Sequence, residues 1–121
     1  MHTISSLAWP ARFRAPEGSS VMLWAADALA QDKAKIEQGA ALFTSQKCSM
    51  CHAIAGKGNA KGALDGVGAK LSETDLRAWI VDPEGMRAKA SATRTPAMKK
   101  TQLTAPQVDA LVAYLGTLKK P

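Results

Sequence analysis

The chain has 121 residues, of which 46% are hydrophobic and 21% charged, with a formal net charge of +6. That length holds one small domain, the apolar share argues against general disorder, and two cysteines only three positions apart close no useful loop, so a disulfide framework is not its staple. The positive charge calls for an acidic partner, yet the lysines and arginines are scattered, with no basic run interleaved with stacking aromatics and no helix-turn-helix or zinc-finger spacing, so nucleic acid is not that partner and an acidic protein or membrane surface stays open.

Residues 1–30 differ in character from the rest. Arg12 and Arg14 precede a short apolar stretch, Val21 to Ala26, and Ala28-Leu29-Ala30 forms an A-x-A cleavage pattern before Gln31. This matches the tail of a secretory signal, although six apolar residues fall short of the about 7–15 of a typical signal core, and a disordered extension is the alternative. The signal implies export to the periplasm. No stretch reaches the roughly 20 apolar residues of a membrane span, so stable membrane insertion is not expected. The folded domain is expected over 31–121, and because the two arginines and two acids of 1–30 cancel, it keeps the whole net charge.

From Gln31 to Gln46, Ile36, Ala40 and Phe43 recur at helical spacing beside Gly39, which predicts a first helix leading into Cys48. The following AIAGKGNAKGALDGVGAK has five glycines and no periodicity, as suits a loop wrapped closely around something. Ser72 then offers an N-cap, Asp75 an acid at the third helical position, and Leu71 with Leu76 a hydrophobic staple, predicting a short helix through Trp79 and Ile80 that Pro83 stops. Residues 84–103 are mixed, with a helical turn around Met86 and then an extended stretch. Thr104 and Gln107 form a capping box, Pro106 fits a first turn, and Val108, Leu111, Val112, Leu115 and Leu118 make one apolar stripe. No alternation is long enough for a sheet. The expected fold is all-α, with three to five short helices, and its long loops make a poor globule unless they serve a site.

Cys48-Ser49-Met50-Cys51-His52 holds both cysteines. Zinc wants four ligands, and the motif offers three, with His2 the only other histidine. A redox-active C-x-x-C wants a βαβ context, which is absent. Covalent haem attachment needs two thiols spaced for the two vinyl groups and an adjacent histidine to meet the iron, and this motif supplies all three. A carrier also needs a ligand on the opposite face, where a methionine thioether raises the potential. Met1 and Met22 lie in the extension, Met50 sits within the motif on the histidine side, and Met86 lies in a charged stretch that suits gap-filling. Met98, after Thr95-Pro96-Ala97 in the extended stretch before the last helix, is the candidate, with core packing as its alternative role.

With Gly39 and Phe43 before CSMCH, then Leu64-Asp65-Gly66-Val67-Gly68, Leu76-Arg77-Ala78-Trp79-Ile80, Met98 and Val108-Asp109-Ala110-Leu111-Val112-Ala113-Tyr114-Leu115, residues 31–121 resemble the class I cytochromes c. The resemblance implies a cytochrome c fold wrapped around one covalently bound haem c per chain, with the first and last helices crossing at Gly39 and Tyr114. It also implies an acceptor for the imidazole N–H in the loop after the histidine. The family usually places a proline carbonyl there, and here the position falls to Ala63.

The expected function is electron transfer by a monohaem, monomeric carrier. With His52 and Met98 on the iron, no position stays open for a substrate, so an enzyme is not expected. Trp79 offers its indole N–H to a haem propionate, a role no better favoured by its spacing than plain core packing. Lys47, Lys57, Lys61, Lys99 and Lys100 fall near the motif or the methionine and are placed to steer acidic redox partners, although scattered solvated lysines are common. The alternatives are a haem enzyme or gas sensor with an open sixth site, and an electron-entry subunit of a larger oxidoreductase.

Overall fold

The computed structural model describes the backbone of residues 17–121 and the side chains of residues 25–121. Arg12 and Arg14 of the signal pattern, with Met1 and His2, lie outside the described residues. The chain divides into two units, with the boundary between Gln31 and Asp32. Helix α1, Glu17–Ser45, begins well before the Gln31 at which apolar spacing sets in, so residues 17–30, expected as a signal or an extension, are helical. The reason is composition: Ala25, Ala26, Ala28, Leu29 and Ala30 are strong helix formers and need no buried face to favour this conformation. From residue 25 to 35 the helix is exposed, Leu29 at 69%. Among the described residues, no helix is long and apolar enough to cross a membrane.

In the second unit, α1 is followed by a 3-10 turn at Cys48–Met50, strands β1, Ala53–Ile54, and β2, Lys57–Gly58, and a 3-10 turn at Ala60–Gly62. Helices α2, Val67–Lys70, α3, Glu73–Val81, α4, Pro83–Lys89, and α5, Ala105–Gly116, complete it. Among the described residues, the antiparallel β1–β2 pair and an isolated bridge between Ala53 and Ala63 depart from the all-helical expectation. Two residues per strand leave no alternation to detect. The hairpin is made by its turn, where Ala55 and Gly56 take φ of 52° and 80°, the positive pair that a two-residue hairpin favours. Asp65 Oδ1 accepts from Ala55 N at 2.9 Å and holds that turn.

The helix ends follow their capping chemistry. Ser72 Oγ accepts from Asp75 N at 3.1 Å to open α3. Pro83 ends α3 as expected, but it also starts the two turns of α4, because its missing N–H is no loss at a first helical position and Asp82 Oδ1 accepts from Gly85 N at 3.1 Å. Both bonds of the Thr104–Gln107 capping box are present on α5.

The core is Phe43, Leu76, Ile80, Val108, Leu111, Val112 and Leu115, where α3 and α5 meet the end of α1. Gly39 lets α1 press directly on α5: a Cβ there would fall on the Ala110 carbonyl oxygen and 2.6 Å from Tyr114 Cβ. One turn on, the Phe43 and Tyr114 rings meet edge to face at 6.4 Å. Arg77 Nη1 donates to Asp109 Oδ1 at 2.6 Å and ties α3 to α5. Among the described residues, no large side chain is fully enclosed, and Cys48, Ile54, Leu64 and Leu103 only partly cover the cluster.

Candidate functional site

The end of α1 delivers the chain into the motif through Lys47, whose φ of 59° turns the backbone sharply. Cys51 N and His52 N then both donate to Cys48 O, at 3.1 and 2.9 Å, so the two cysteines and the histidine sit on one tight turn. Asn59 braces that turn from outside: its Nδ2 donates to Met50 O at 3.2 Å, and its N–H lies between Ser49 O and His52 O at 3.1 and 3.2 Å.

His52 is half-buried, with Nδ1 2.9 Å from Gly62 O. A carbonyl can only accept, so Nδ1 carries the proton and Nε2 keeps a free lone pair. Burial pushes the histidine pKa below its usual value, against the raising effect of the Gly62 bond, and the Arg94 charge adds to the fall. The ring is therefore held neutral, as a metal ligand must be. The acceptor is Gly62 and not Ala63, one residue away from expectation. The reason is that the 3-10 turn at Ala60–Gly62 aims the Gly62 carbonyl at the ring, while Ala63, in a β-bridge with Ala53, belongs to the next stretch.

Both cysteines are free and half-buried. Burial pushes the Cys48 thiol up, a backbone hydrogen bond opposes it, and the neighbouring Cys51 adds to the rise. Zinc wants four ligands, and among the described residues no three His, Cys, Asp or Glu side chains gather as a metal site. The donor set fits a haem better: two thiols for thioether bonds, one neutral imidazole, and a thioether elsewhere in the chain. Thr101 Oγ1, in the segment before α5, is buried with no protein hydrogen-bond partner, a group that water or a polar atom of a ligand can satisfy.

Met98 lies in the irregular segment between α4 and α5 and is 37% exposed. Met86 is half-buried on α4, and Met50 is 69% exposed within the motif. Trp79 is half-buried on α3, beside the core residue Ile80. Lys47, Lys57, Lys61, Lys99 and Lys100 are all exposed. An open concavity of about 510 Å³ runs beside the motif, lined by Met50, Cys51, Asn59, Lys61, Arg94, Thr95 and Pro96. A second groove of about 520 Å³, holding Glu73, Arg77 and Asp109, lies against α2, α3 and α5 and touches none of the candidate residues.

Asn59, Gly62, Arg94 and Thr101 are residues that sequence reasoning missed. Arg94 Nη2 donates to Cys51 O at 2.7 Å, 43 positions away, a distance over which no local pattern could announce it.

The family model described as Cytochrome c matches residues 36–119. Cytochrome c oxidase subunit 2 of Alkalihalophilus pseudofirmus is 31% identical over 91 residues, covering 68% of this chain and 25% of that protein. The chain thus spans about a quarter of the length of that relative. No solved structure matches the chain.

Proposed function

Because the chain belongs to the cytochrome c family, which makes it a haem-binding electron carrier, we propose that it is a monohaem shuttle whose haem is joined to Cys48 and Cys51 and whose iron is held by His52 and Met98. The observation that carries this is the His52 ring, fixed by Gly62 O at 2.9 Å on the same turn as both thiols. When bound, the haem supplies a one-electron couple.

The chain's own residues do the rest. The Gly62 carbonyl fixes the tautomer and orientation of His52 and raises the basicity of Nε2. Cys48 and Cys51 prevent loss of the group, and Met98 completes a closed set, so the protein transfers electrons and is not an enzyme. Trp79 and Thr101 are assigned to polar groups of the porphyrin. The exposed Lys99 and Lys100, with Lys47, Lys57 and Lys61, steer acidic redox partners to a monomeric carrier, and the pattern at 12–30 supports export to the periplasm.

A second use of the same domain, electron entry into a larger oxidase, is favoured by one observation, the 31% identity to cytochrome c oxidase subunit 2. Absorption spectra of the purified protein, oxidised and reduced, with a pyridine haem assay, test cofactor, covalency and closed coordination together. A high-spin spectrum with ready carbon monoxide binding would refute the carrier in favour of a sensor or enzyme. Migration on a sizing column with and without detergent-solubilised oxidase separates the shuttle from the subunit.

A further inference from the structure

The segment that carries Met98 is poorly held. Past Ala92, no backbone-to-backbone hydrogen bond among the described residues involves 93–103, and most of these residues are exposed. The hydrogen bonds that do hold it converge on Arg94. Arg87 Nη2, from α4, donates to Arg94 O at 3.2 Å, and Arg94 Nη2 donates to Cys51 O at 2.7 Å. The guanidinium also lies over Gly62: a Cβ there would come 3.0 Å from Arg94 Cζ and would fall on Nη1 and on Cys51 O. One planar group therefore touches both backbone positions that set His52, the carbonyl of the residue before it and the residue whose carbonyl takes its N–H, while its own main chain leads four residues on to Met98.

We propose that Arg94 is a positioning residue, a clasp that holds the Met98 segment against the Cys51–Gly62 face. It rests on the assignment of Met98 as a ligand, since only then does the clasp govern how firmly the sixth position stays closed. The clasp uses the space that glycine leaves at position 62, where a Cβ would fall on the Cys51 carbonyl oxygen as well as on the guanidinium. It also requires arginine, because a flat fork lies over the Gly62 backbone while one nitrogen donates to Cys51 O, whereas a lysine ammonium offers a point donor on a flexible stem.

The test uses the ferric holoprotein and added imidazole as a competitor for the sixth position. Arg94→Ala should raise imidazole affinity about tenfold, the low end for a charge-assisted hydrogen bond at an exposed position, and weaken the far-red absorption band of thioether-bound ferric haem. Covalent haem content by the pyridine assay should not change. Arg94→Lys should recover less than half of the effect. Unchanged imidazole affinity with an intact band in Arg94→Ala overturns the clasp even if thermal stability falls, because a merely structural role moves only the latter. Full recovery by Arg94→Lys also overturns it, leaving charge alone as the role. If the unsubstituted protein itself lacks the band and binds imidazole freely, the Met98 assignment fails and takes the clasp with it, a result distinct from the other two.

Discussion

The crossing of α1 and α5 makes a quantitative demand on Gly39. In Gly39→Ala the new methyl would meet the Ala110 carbonyl oxygen and sit 2.6 Å from Tyr114 Cβ. A backbone carbonyl cannot rotate away as a side chain can, so the helices must separate and the Phe43–Tyr114 contact at 6.4 Å must open with them. Overpacking of this kind costs up to about 3 kcal/mol. Alanine returns about 1 kcal/mol of helix propensity, leaving a loss of about 2 kcal/mol. For a domain of this size the melting temperature should fall by about 10 °C. Thermal unfolding of the holoprotein, followed by circular dichroism, measures it. Gly116→Ala supplies the control of opposite sign: nothing lies within 4 Å of a Cβ there, at the end of α5, so the same substitution should raise the melting temperature by roughly 2–4 °C. A Gly39→Ala protein as stable as the unsubstituted one refutes direct packing of α1 on α5 at Gly39.

Met98→Ala should open the sixth position, permit carbon monoxide binding and lower the potential by on the order of 0.1 V or more, within the roughly 0.8 V that axial ligands span; Met86→Ala should do neither, and the reverse pattern in the far-red band would reassign the ligand. Reversing the charge of Lys99 and Lys100 together should slow reduction of an acidic partner about tenfold at low salt and have little effect at high salt, and stopped-flow rates that ignore the reversal at low salt place the docking face elsewhere. Asp65→Ala removes the acceptor of Ala55 N and should cost about 1 kcal/mol, read from denaturant midpoints, whereas Ala55→Gly relaxes the turn at φ 52° and should cost nothing.

The sequence made the helical frame legible where the cause of structure is local. The α5 stripe, the Thr104–Gln107 box and the Ser72 cap are short-range chemistry, and each appears as expected. Pro83 was half legible: its power to end α3 follows from sterics on the preceding residue, but its use to begin α4 depends on Asp82 acting as the N-cap of that second helix. The β1–β2 hairpin was not legible, because two residues per strand carry no period and its turn uses an alanine where glycine, asparagine or aspartate would have signalled it.

The site divides along the same line. Cys48, Cys51 and His52 are neighbours in sequence, so their chemistry could be read directly, and Gly39 gained its meaning from a resemblance that the crossing with Ala110 and Tyr114 matches. What orients the histidine could not be read, because it is a property of backbone direction: Gly62 and Ala63 both carry carbonyls, and only the turn at Ala60–Gly62 decides which one faces Nδ1. Arg94 is the extreme case, an exposed arginine in a charged stretch that looks like any solvated residue until its reach to Cys51 O is known. The consequence concerns more than this arginine. Main-chain carbonyls that accept bonds from side chains or backbone outside the motif leave no mark on their own residue type, so the supports of such a site lie where each carbonyl of the motif points, and Cys51, Met50 and Ser49 each lead to a residue outside it.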